Sequence, residues 1–248
     1  MPASASNPVT TADRVLQVLA VLAQQGRALQ VAELLDRTGL ARSTLYRQLA
    51  RLKQWGFVLE ADGYYAPGPL SLQLALGFDL ASHLMRQARS DLQTLAQQSH
   101  ESVALVVAVN DRVICLDMVE SQQSLRCSFE KGRGVPLGAG ASAKCLLAHL
   151  PDTDRAAILD QQYGPDSAER HSAEAELGGI RKAGFAVTVG EVDAGVWGVS
   201  VPLFGPDRQA VGAITLMAPT SRAQTQEHKL IRLAVVTAAR ISRNLDIR

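Results

Sequence analysis

The chain has 248 residues, enough for one large domain or two ordinary ones with a buried core. Hydrophobic residues make up 47% of it and charged residues 20%, and the formal net charge of +1 excludes a chain-wide attraction to nucleic acid or to an anionic membrane. No stretch approaches the ~18 consecutive apolar residues of a membrane span. The N-terminal segment MPASASNPVT has neither the basic residues nor the apolar run of a signal peptide, so we expect residues 1–10 to be a disordered tail.

Residues 11–68 have the pattern of a winged helix-turn-helix. TADRVLQVLAVLAQQG, QVAELLDRTGL and ARSTLYRQLARLKQWG each place apolar residues at helical spacing and end on a glycine. Two short helices joined by a tight turn at Gly39 predict a helix-turn-helix. FVLEADGYYAPG then predicts a β-hairpin whose turn is Asp62-Gly63, which forms the wing.

A linker follows the boundary marked by Pro67, Gly68 and Pro69. Residues 69–84 begin one or two helices that run to a break near Ser99-His100. The first part is rich in leucine on more than one face, which is too apolar for a solvated linker. We expect it to pack against another chain or the second domain.

Residues 85–248 predict a second domain of strands and helices. The predicted strands are SVALVVAVN, RVICLDMVE, SLRCSFE, FAVTVGE, VWGVSVPLF and AVGAITLMAP, the first two joined by a turn at Asn110-Asp111. Helices are expected around 143–150, 152–162 and 172–183, and a last helix over about 223–245. The inner side of that last helix is predicted to carry Leu230, Leu233, Val236, Ile241 and Leu245. The fold class is therefore α+β with a mostly antiparallel sheet.

The second helix of the helix-turn-helix carries charge of one sign. Between Arg37 and Leu59 the sequence has five basic residues and no acidic one. A helix of this kind fits the major groove of B-DNA, where its N-terminal residues face base edges and flanking cations neutralise phosphates. The residues predicted to contact DNA are Arg42, Ser43, Thr44, Tyr46, Arg47, Arg51 and Lys53, with Gly63, Tyr64 and Tyr65 approaching the backbone from the hairpin tip. The alternative is that these are solvated faces of a small helical bundle.

The segment GAGASAKC, residues 138–145, is close to a nucleotide-binding loop but departs from it at two positions. Ala143 stands where the second glycine would allow close approach of a phosphate, and Cys145 replaces the hydroxyl that holds magnesium. ATP binding is therefore not predicted. Free N–H groups at the start of the following helix attract an anion, and Ala141 and Ser142 can offer them to a carboxylate. The alternative is a plain helix start capped by the Ser142 side chain.

Cysteine and histidine provide no catalytic or metal pattern. Cys115, Cys127 and Cys145 lack CxxC or zinc spacing, and we expect reduced thiols in a cytoplasmic protein. The five histidines show no metal spacing, and no nucleophile and base are grouped in the sequence. No cofactor, metal or enzyme activity is predicted.

The chain resembles the IclR family of bacterial transcriptional regulators over nearly its full length. The resemblance rests on the order and spacing of five segments: GLARSTLYRQLARLKQWGFV with the wing DGYYAPGP, LDMVES, GVPLGAGASAKCLLAHLP, RKAGFAVTVGEVDAGVWGVSVPL and AVGAITLMAP. It implies an N-terminal DNA-binding domain and a C-terminal effector domain with a GAF-like sheet. It also implies homodimers or homotetramers that bind palindromic double-stranded operators and respond to small organic or aromatic acids.

The same resemblance implies which residues hold the effector. The family's positions fall here on Ala141, Ser142, Thr188, Val196, Gly198, Thr215 and Met217, with Met118 and Leu125 as an apolar wall. Thr188 stands where an aspartate is frequent in the family, Gly198 where a cysteine often lies and Met217 where a serine can occur. We therefore expect a less polar pocket, suited to a larger effector with one anionic end, such as an aromatic acid.

Two other classes of protein stay open from the sequence. One is an architectural DNA-binding oligomer whose second domain binds no effector. The other is an enzyme whose catalytic domain carries a DNA-binding appendage.

Overall fold

The computed structural model describes residues 10–132 and 134–246, except for the side chains of 79–81. The chain divides into two compact units with the boundary between Ser82 and His83. Nine of the ten residues of the expected tail, 1–9, lie outside the described residues. Thr10, the tenth, is the N-cap of the first helix.

Three short helices form the first unit: α1 (Thr11–Gln25), α2 (Val31–Thr38) and α3 (Arg42–Gln54). A capping box holds the start of α1, because the Thr10 hydroxyl accepts from the Asp13 N–H while the Asp13 carboxylate accepts from the Thr10 N–H. Gly39 turns the chain between α2 and α3 at a φ of 63°, a left-handed conformation that glycine adopts without strain. The predicted helix-turn-helix is confirmed.

The wing is a hairpin with a third, very short strand. Strands β2 (Val58–Ala61) and β3 (Tyr64–Pro67) meet at the predicted turn, where Asp62 and Gly63 both have positive φ. Strand β1 (Leu29–Gln30) pairs with β3 on its other side and completes the sheet β1-β3-β2. Because β1 has only two residues, it shows no period in the sequence, and sequence reasoning missed it. These elements enclose the apolar core of this unit, which includes Val18, Leu22, Leu29, Leu34, Leu45, Leu49, Leu52, Val58 and Tyr65.

The region after the wing forms two helices, α4 (Pro69–Ala81) and α5 (His83–Ser99), separated at Ser82. Proline is suited to the first position of α4 because the missing N–H has no partner in a helix there. The outer positions of α4 are apolar, and the exposed side chains are Leu72, Leu74, Leu76 and Phe78. The expectation that this helix packs against another surface stays a prediction.

The second unit is built on a six-stranded sheet of order β6-β5-β4-β9-β8-β7 in which each of the five pairings is antiparallel. The α+β class with a mostly antiparallel sheet is confirmed. The strands are β4 (Ser102–Val109), β5 (Arg112–Val119), β6 (Gly134–Pro136), β7 (Ala186–Val189), β8 (Val196–Phe204) and β9 (Ala210–Pro219). The helices after α5 are α6 (Ala141–His149), α7 (Asp152–Tyr163), α8 (Ala168–Ala183), α9 (Thr220–Ala223) and α10 (Glu227–Asp246).

Helices cover both faces of this sheet and make two cores. Helices α5 and α10 pack on one face, and α6 packs on the other against β8 and β9, with α8 behind it. Alternate residues of β9 therefore point into different cores: Ile214 and Leu216 toward α10, and Ala213 and Met217 toward α6.

The predicted strand SLRCSFE is wrong, because residues 124–130 pair with no strand. Side-chain contacts hold this segment instead. The Ser128 hydroxyl and the Arg126 guanidinium both donate to Glu120, at 2.6 and 3.0 Å, and Arg222 donates to the Leu125 carbonyl at 2.9 Å. The alternating pattern arises because Cys127 and Phe129 pack against the core while their neighbours are exposed.

The inner side of the last helix is also partly mispredicted. Val236 is 57% exposed, and the residues that face the core are Leu230, Ala234, Thr237, Ala238, Ile241 and Leu245. The small residues Ala234 and Ala238 lie against the sheet, so the bulk of an apolar side chain does not indicate which residues of this helix are buried. Helices α6, α8 and α10 also begin at 141, 168 and 227, which differ from the predicted starts of about 143, 172 and 223.

Two glycines provide a matched test of the sheet packing. A Cβ on Gly212 in β9 would lie 2.8 Å from the carbonyl oxygen of Val106 in β4, whereas a Cβ on the exposed Gly179 in α8 meets no atom within 4 Å beyond its own helix backbone. We expect Gly212→Ala to lower the free energy of unfolding by about 1–3 kcal/mol, because the strands must shift apart. Gly179→Ala should raise it by about 0.5–1 kcal/mol, because alanine restricts the unfolded chain and favours helix.

Urea unfolding followed by circular dichroism measures both changes in the transition of the second unit. A Gly212→Ala protein as stable as the wild type would show that the close approach of β4 and β9 does not limit this position.

Candidate DNA-binding surface and effector cavity

Helix α3 buries one side and leaves its predicted DNA-contacting side chains outside. Leu45, Gln48, Leu49 and Leu52 are buried in the core of the first unit. The helical period therefore leaves the opposite side free. The predicted contacts that are exposed around the rest of the helix are Arg42, Ser43, Tyr46, Arg47, Arg51 and Lys53, whereas Thr44 is half-buried.

The charge on this side is mostly unpaired. Arg42 is the first residue of α3, and the first turn has no acidic residue to offset the positive end of the helix dipole. Within residues 10–132 and 134–246, the guanidinium groups of Arg42, Arg47 and Arg51 form no ion pair. Lys53 differs, because its ammonium contacts the Glu60 carboxylate on β2. The surface thus presents three uncompensated cations to an anionic partner.

The two tyrosines of the wing have different environments. Tyr64 is 43% exposed, and its hydroxyl accepts a hydrogen bond of 2.8 Å from the Gln30 side chain. Tyr65 is buried in the core, so the expectation that it approaches DNA from the hairpin tip is wrong. Burial, together with a hydrogen bond to Glu60, raises the pKa of Tyr65 to about 12. Alternation along β3 directs these neighbouring side chains to opposite faces.

A cavity of about 1000 Å³ lies in the second unit, on the face of the sheet that α6 covers. Three of the predicted effector residues form one continuous row at its base, because Thr188 on β7 is opposite Gly198 on β8, which is opposite Met217 on β9. The first residue of α6, Ala141, lies over this row, and a Cβ on Gly198 would be 3.6 Å from its side chain. The structure brings these residues into one site.

The polar part of the cavity is a chain of hydroxyl groups. The Ser142 and Thr215 hydroxyls are 2.8 Å apart, and Thr215 donates to Ser200 at 2.9 Å. Because Ser142 makes this contact, it does not cap α6, whose N-cap is Gly140, and the alternative of a serine cap is wrong. The Thr188 hydroxyl forms no hydrogen bond with the described residues and faces the cavity. Neutral hydrogen-bonding groups therefore line the floor.

Eight of the nine predicted effector residues line the cavity, and Met118 does not. Met118 packs against the core on β5 instead. Leu125 lines the mouth and is 65% exposed, so it is not part of an enclosed wall. Other lining residues are not predicted from the sequence, chiefly Cys127, Phe129, Pro136, Glu191, Val192 and Pro219. Most lie in irregular segments, where periodicity provides no signal.

Lys144, in the segment that is close to a nucleotide-binding loop, is held by two carboxylates. The Lys144 ammonium is 2.6 Å from Glu176 and 2.7 Å from Glu191. Glu191 also accepts from the Gly140 N–H at 3.0 Å. Burial alone would raise the pKa of Glu191, but hydrogen bonds from Lys144 and Gly140 outweigh it and leave the pKa below its ordinary value. The segment GAGASAKC thus forms a helix start whose lysine is already neutralised.

The histidine, cysteine and acidic side chains described in the second unit do not form a metal site. Among the described residues no three or more histidine, cysteine, aspartate or glutamate side chains converge as metal ligands. No described helix is both long and apolar enough to cross a membrane.

Two family models match the chain. The model described as the IclR helix-turn-helix domain matches residues 11–61, and the model described as the bacterial transcriptional regulator IclR C-terminal matches residues 80–243. A helix-turn-helix followed by a cavity-bearing α+β unit defines the class of ligand-responsive transcriptional regulators. The chain belongs to the IclR family of these regulators.

Relatives and solved structures agree with this assignment. The transcriptional regulator TtgV of Pseudomonas putida is 30% identical over 234 residues, which cover 90% of this chain and 86% of TtgV. An IclR-type regulator structure from Silicibacter superposes with a TM-score of 0.84 at 24% identity, covering 96% of both chains. An IclR homologue of Microbacterium hydrocarbonoxydans, complexed with 4-hydroxybenzoate, has a TM-score of 0.74 at 20% identity and covers 96% of this chain and 100% of its own. These two structures support the fold.

The cysteines provide a chemical probe of the cavity. Burial raises the pKa of Cys115 to about 11 and of Cys145 to about 12, and it also raises the pKa of Cys127, which is half-buried and lines the cavity. The thiolate is the form of cysteine that reacts with iodoacetamide, and an accessible thiol reacts faster than a buried one. We expect iodoacetamide at pH 8 to modify Cys127 first, as measured by peptide mass spectrometry. Cys127→Ser should leave a nearly unreactive native protein. Equal rates at Cys127 and Cys145 would contradict the burial of Cys145.

Proposed function

We propose that this regulator reads a palindromic operator with α3 and the wing, and that an aromatic acid in the cavity controls this binding. The observation that carries the proposal is the cavity of about 1000 Å³, with hydroxyl groups at its floor and a helix start at its edge, in a chain that also presents an unpaired basic helix. In this assignment residues 11–68 bind DNA, 69–84 link and 85–248 bind the effector. No catalytic step is assigned to the chain, and its operator places its action in the bacterial cytoplasm.

The charge distribution on α3 supports the DNA contacts. Arg42 and Ser43 lie at the end of the helix that enters the major groove in helix-turn-helix proteins, where an arginine can donate two hydrogen bonds to guanine. Arg51 lies nine residues, or about two and a half turns, further along and on the other flank of the helix, where it can contact a phosphate beside the groove. Tyr64 is exposed on the wing and can donate to the adjacent backbone.

A second copy of the chain is the partner that this geometry favours. Exposed leucines and a phenylalanine make more than one side of α4 apolar, which a solvated helix does not need. Homo-oligomers join such surfaces by two-fold symmetry, and two-fold symmetry pairs two recognition helices with the half-sites of a palindrome. We therefore assign a homodimer or homotetramer.

The composition of the cavity favours an aromatic effector. Apolar side chains such as Phe129, Met217 and Pro219 line its walls, and its volume exceeds what a two-carbon or three-carbon acid fills. Thr188 and Ser142 provide neutral hydrogen-bonding groups at the floor. A homologue of the same fold is complexed with 4-hydroxybenzoate, which has the aromatic ring and single carboxylate that this cavity suits.

Replacing single arginines tests the DNA contacts. We expect Arg42→Ala to reduce discrimination between bases by about 1–3 kcal/mol at one position of each half-site. Arg51→Ala should weaken binding to all DNA sequences alike. It should also reduce the slope of the logarithm of the binding constant against the logarithm of the salt concentration by about 1 per half-site. Lys53→Ala should have a smaller effect than Arg51→Ala, because Glu60 already neutralises Lys53.

Fluorescence anisotropy with a selected operator and its point variants, at several salt concentrations, measures these effects. Arg232→Ala on the exposed side of α10 is the matched control and should leave DNA binding unchanged. Equal loss of specificity in Arg42→Ala and Arg51→Ala would contradict the division between base and phosphate contacts.

Thermal stabilisation tests the effector site. An effector at 100 times its Kd stabilises the native state by ~2.7 kcal/mol, which raises Tm by roughly 2–4 °C for a protein of this size. We expect this shift with 4-hydroxybenzoate and none with Mg-ATP. Thr188→Val removes a cavity hydroxyl and should weaken binding by about 1 kcal/mol. Thr94→Val, at a half-buried position of α5 that does not line the cavity, is the control. A larger shift with glyoxylate or pyruvate than with any aromatic acid would contradict the assignment.

A further inference from the structure

The loop between β7 and β8, residues 190–195, covers one side of the cavity. Its first and last residues are Gly190 and Gly195, both with positive φ, and every residue between them is exposed. The Gly190 N–H donates to the Val196 carbonyl at 2.8 Å and the Val196 N–H to the Asp193 carbonyl at 3.1 Å, and the Thr220 N–H holds the Gly195 carbonyl at 2.8 Å. Residues 191–195 line the cavity. The loop is thus a cavity wall with few internal bonds.

Glu191 attaches this wall to the start of α6. One carboxylate oxygen accepts from the Gly140 N–H at 3.0 Å, and the other is 2.7 Å from the Lys144 ammonium. Val192 packs beside it, since a Cβ on Gly140 would be 2.7 Å from a Val192 methyl group. The start of α6 is where the positive end of the helix dipole and unpaired N–H groups attract an anion. In this structure a carboxylate of the chain itself already accepts from the Gly140 N–H at this helix start.

The charged residues described at the cavity offer no free cation to an acid. Four of the described lining residues are charged, and three of them, Glu130, Glu191 and Asp193, are acidic. The fourth, Arg126, is 3.0 Å from the Glu120 carboxylate. Among the described lining residues, therefore, no cation lacks a carboxylate partner. An acid that entered without displacing a carboxylate would lie close to the carboxylates of Glu191 and Asp193.

We propose that Glu191 determines effector specificity by competing, through its own carboxylate, for the anion position at the start of α6. An acid effector must displace Glu191 from the Gly140 N–H, and Lys144 then attracts the incoming carboxylate. Displacement also detaches the 190–195 loop from α6, so occupancy of the anion position is coupled to the position of the loop. A neutral ligand of the same shape binds without displacing Glu191. This inference rests on the proposed function, because it concerns the acid group of the effector.

The variant that tests the competition is Glu191→Gln, which keeps the length of the side chain and an oxygen that can accept from Gly140 but removes the charge. We expect it to bind 4-hydroxybenzoate about tenfold more tightly than the wild type, because no carboxylate has to be displaced. Binding of 4-hydroxybenzyl alcohol should change by less than about twofold. Isothermal titration calorimetry measures both affinities, and retained binding of the alcohol shows that the variant folds. Glu191→Asp, which keeps the charge, should not gain affinity for the acid.

Glu176→Gln is the matched control. Glu176 contacts the same Lys144 ammonium, at 2.6 Å, but neither reaches Gly140 nor lines the cavity. A gain in acid affinity with Glu176→Gln as large as with Glu191→Gln would show a general charge effect and overturn the proposal. Equal binding of 4-hydroxybenzoate by the wild type and Glu191→Gln would overturn the competition and leave the proposed acid effector standing. Binding of the alcohol but not the acid by every variant would reject the acid class itself, and the competition with it.

Discussion

The pairing of β9 with β4 on one side and with β8 on the other is the constraint on which the second unit depends. Because side chains alternate along a strand, this pairing sends Ile214 and Leu216 into the core under α10 and Thr215 and Met217 toward α6. A slip of one residue would exchange the two sets and place the hydroxyl of Thr215 in an apolar core. The register that buries one face therefore also builds the floor of the cavity on the other.

The cations of α3 and several cations of the second unit are used in opposite ways, which the net charge of +1 conceals. In the second unit Lys144, Arg155 and Arg222 each contact a carboxylate, so their charge is used within the fold. On α3 the arginines 42, 47 and 51 contact no carboxylate among the described residues. A paired cation contributes packing and orientation, whereas an unpaired one contributes a field that extends about a Debye length, ~8 Å at physiological salt. The arginines of α3 are therefore available to attract a polyanion.

Regular periods explain what the sequence predicted well. The three helices of the first unit, the hairpin turn at Asp62-Gly63 and five of the six strands of the larger sheet follow from apolar spacing and turn residues. Sequence reasoning failed where contacts are not periodic: β1 has two residues, and residues 124–130 imitate a strand because alternate side chains face the core. Glu191 and Glu60 were missed as partners of Lys144 and Lys53 because ion pairs join residues that only the fold brings together. The row Thr188, Gly198 and Met217 was found through family resemblance, since no local pattern links three separate strands.

The cavity is assembled from segments that span residues 125–221, so it exists only when the whole six-stranded sheet has formed. A small molecule held there binds the native chain and has no site on the unfolded one, and mass action then depletes the unfolded fraction. Cellular proteases act on that fraction. A bound effector therefore also slows the turnover of the regulator, beyond any change in its occupancy of DNA.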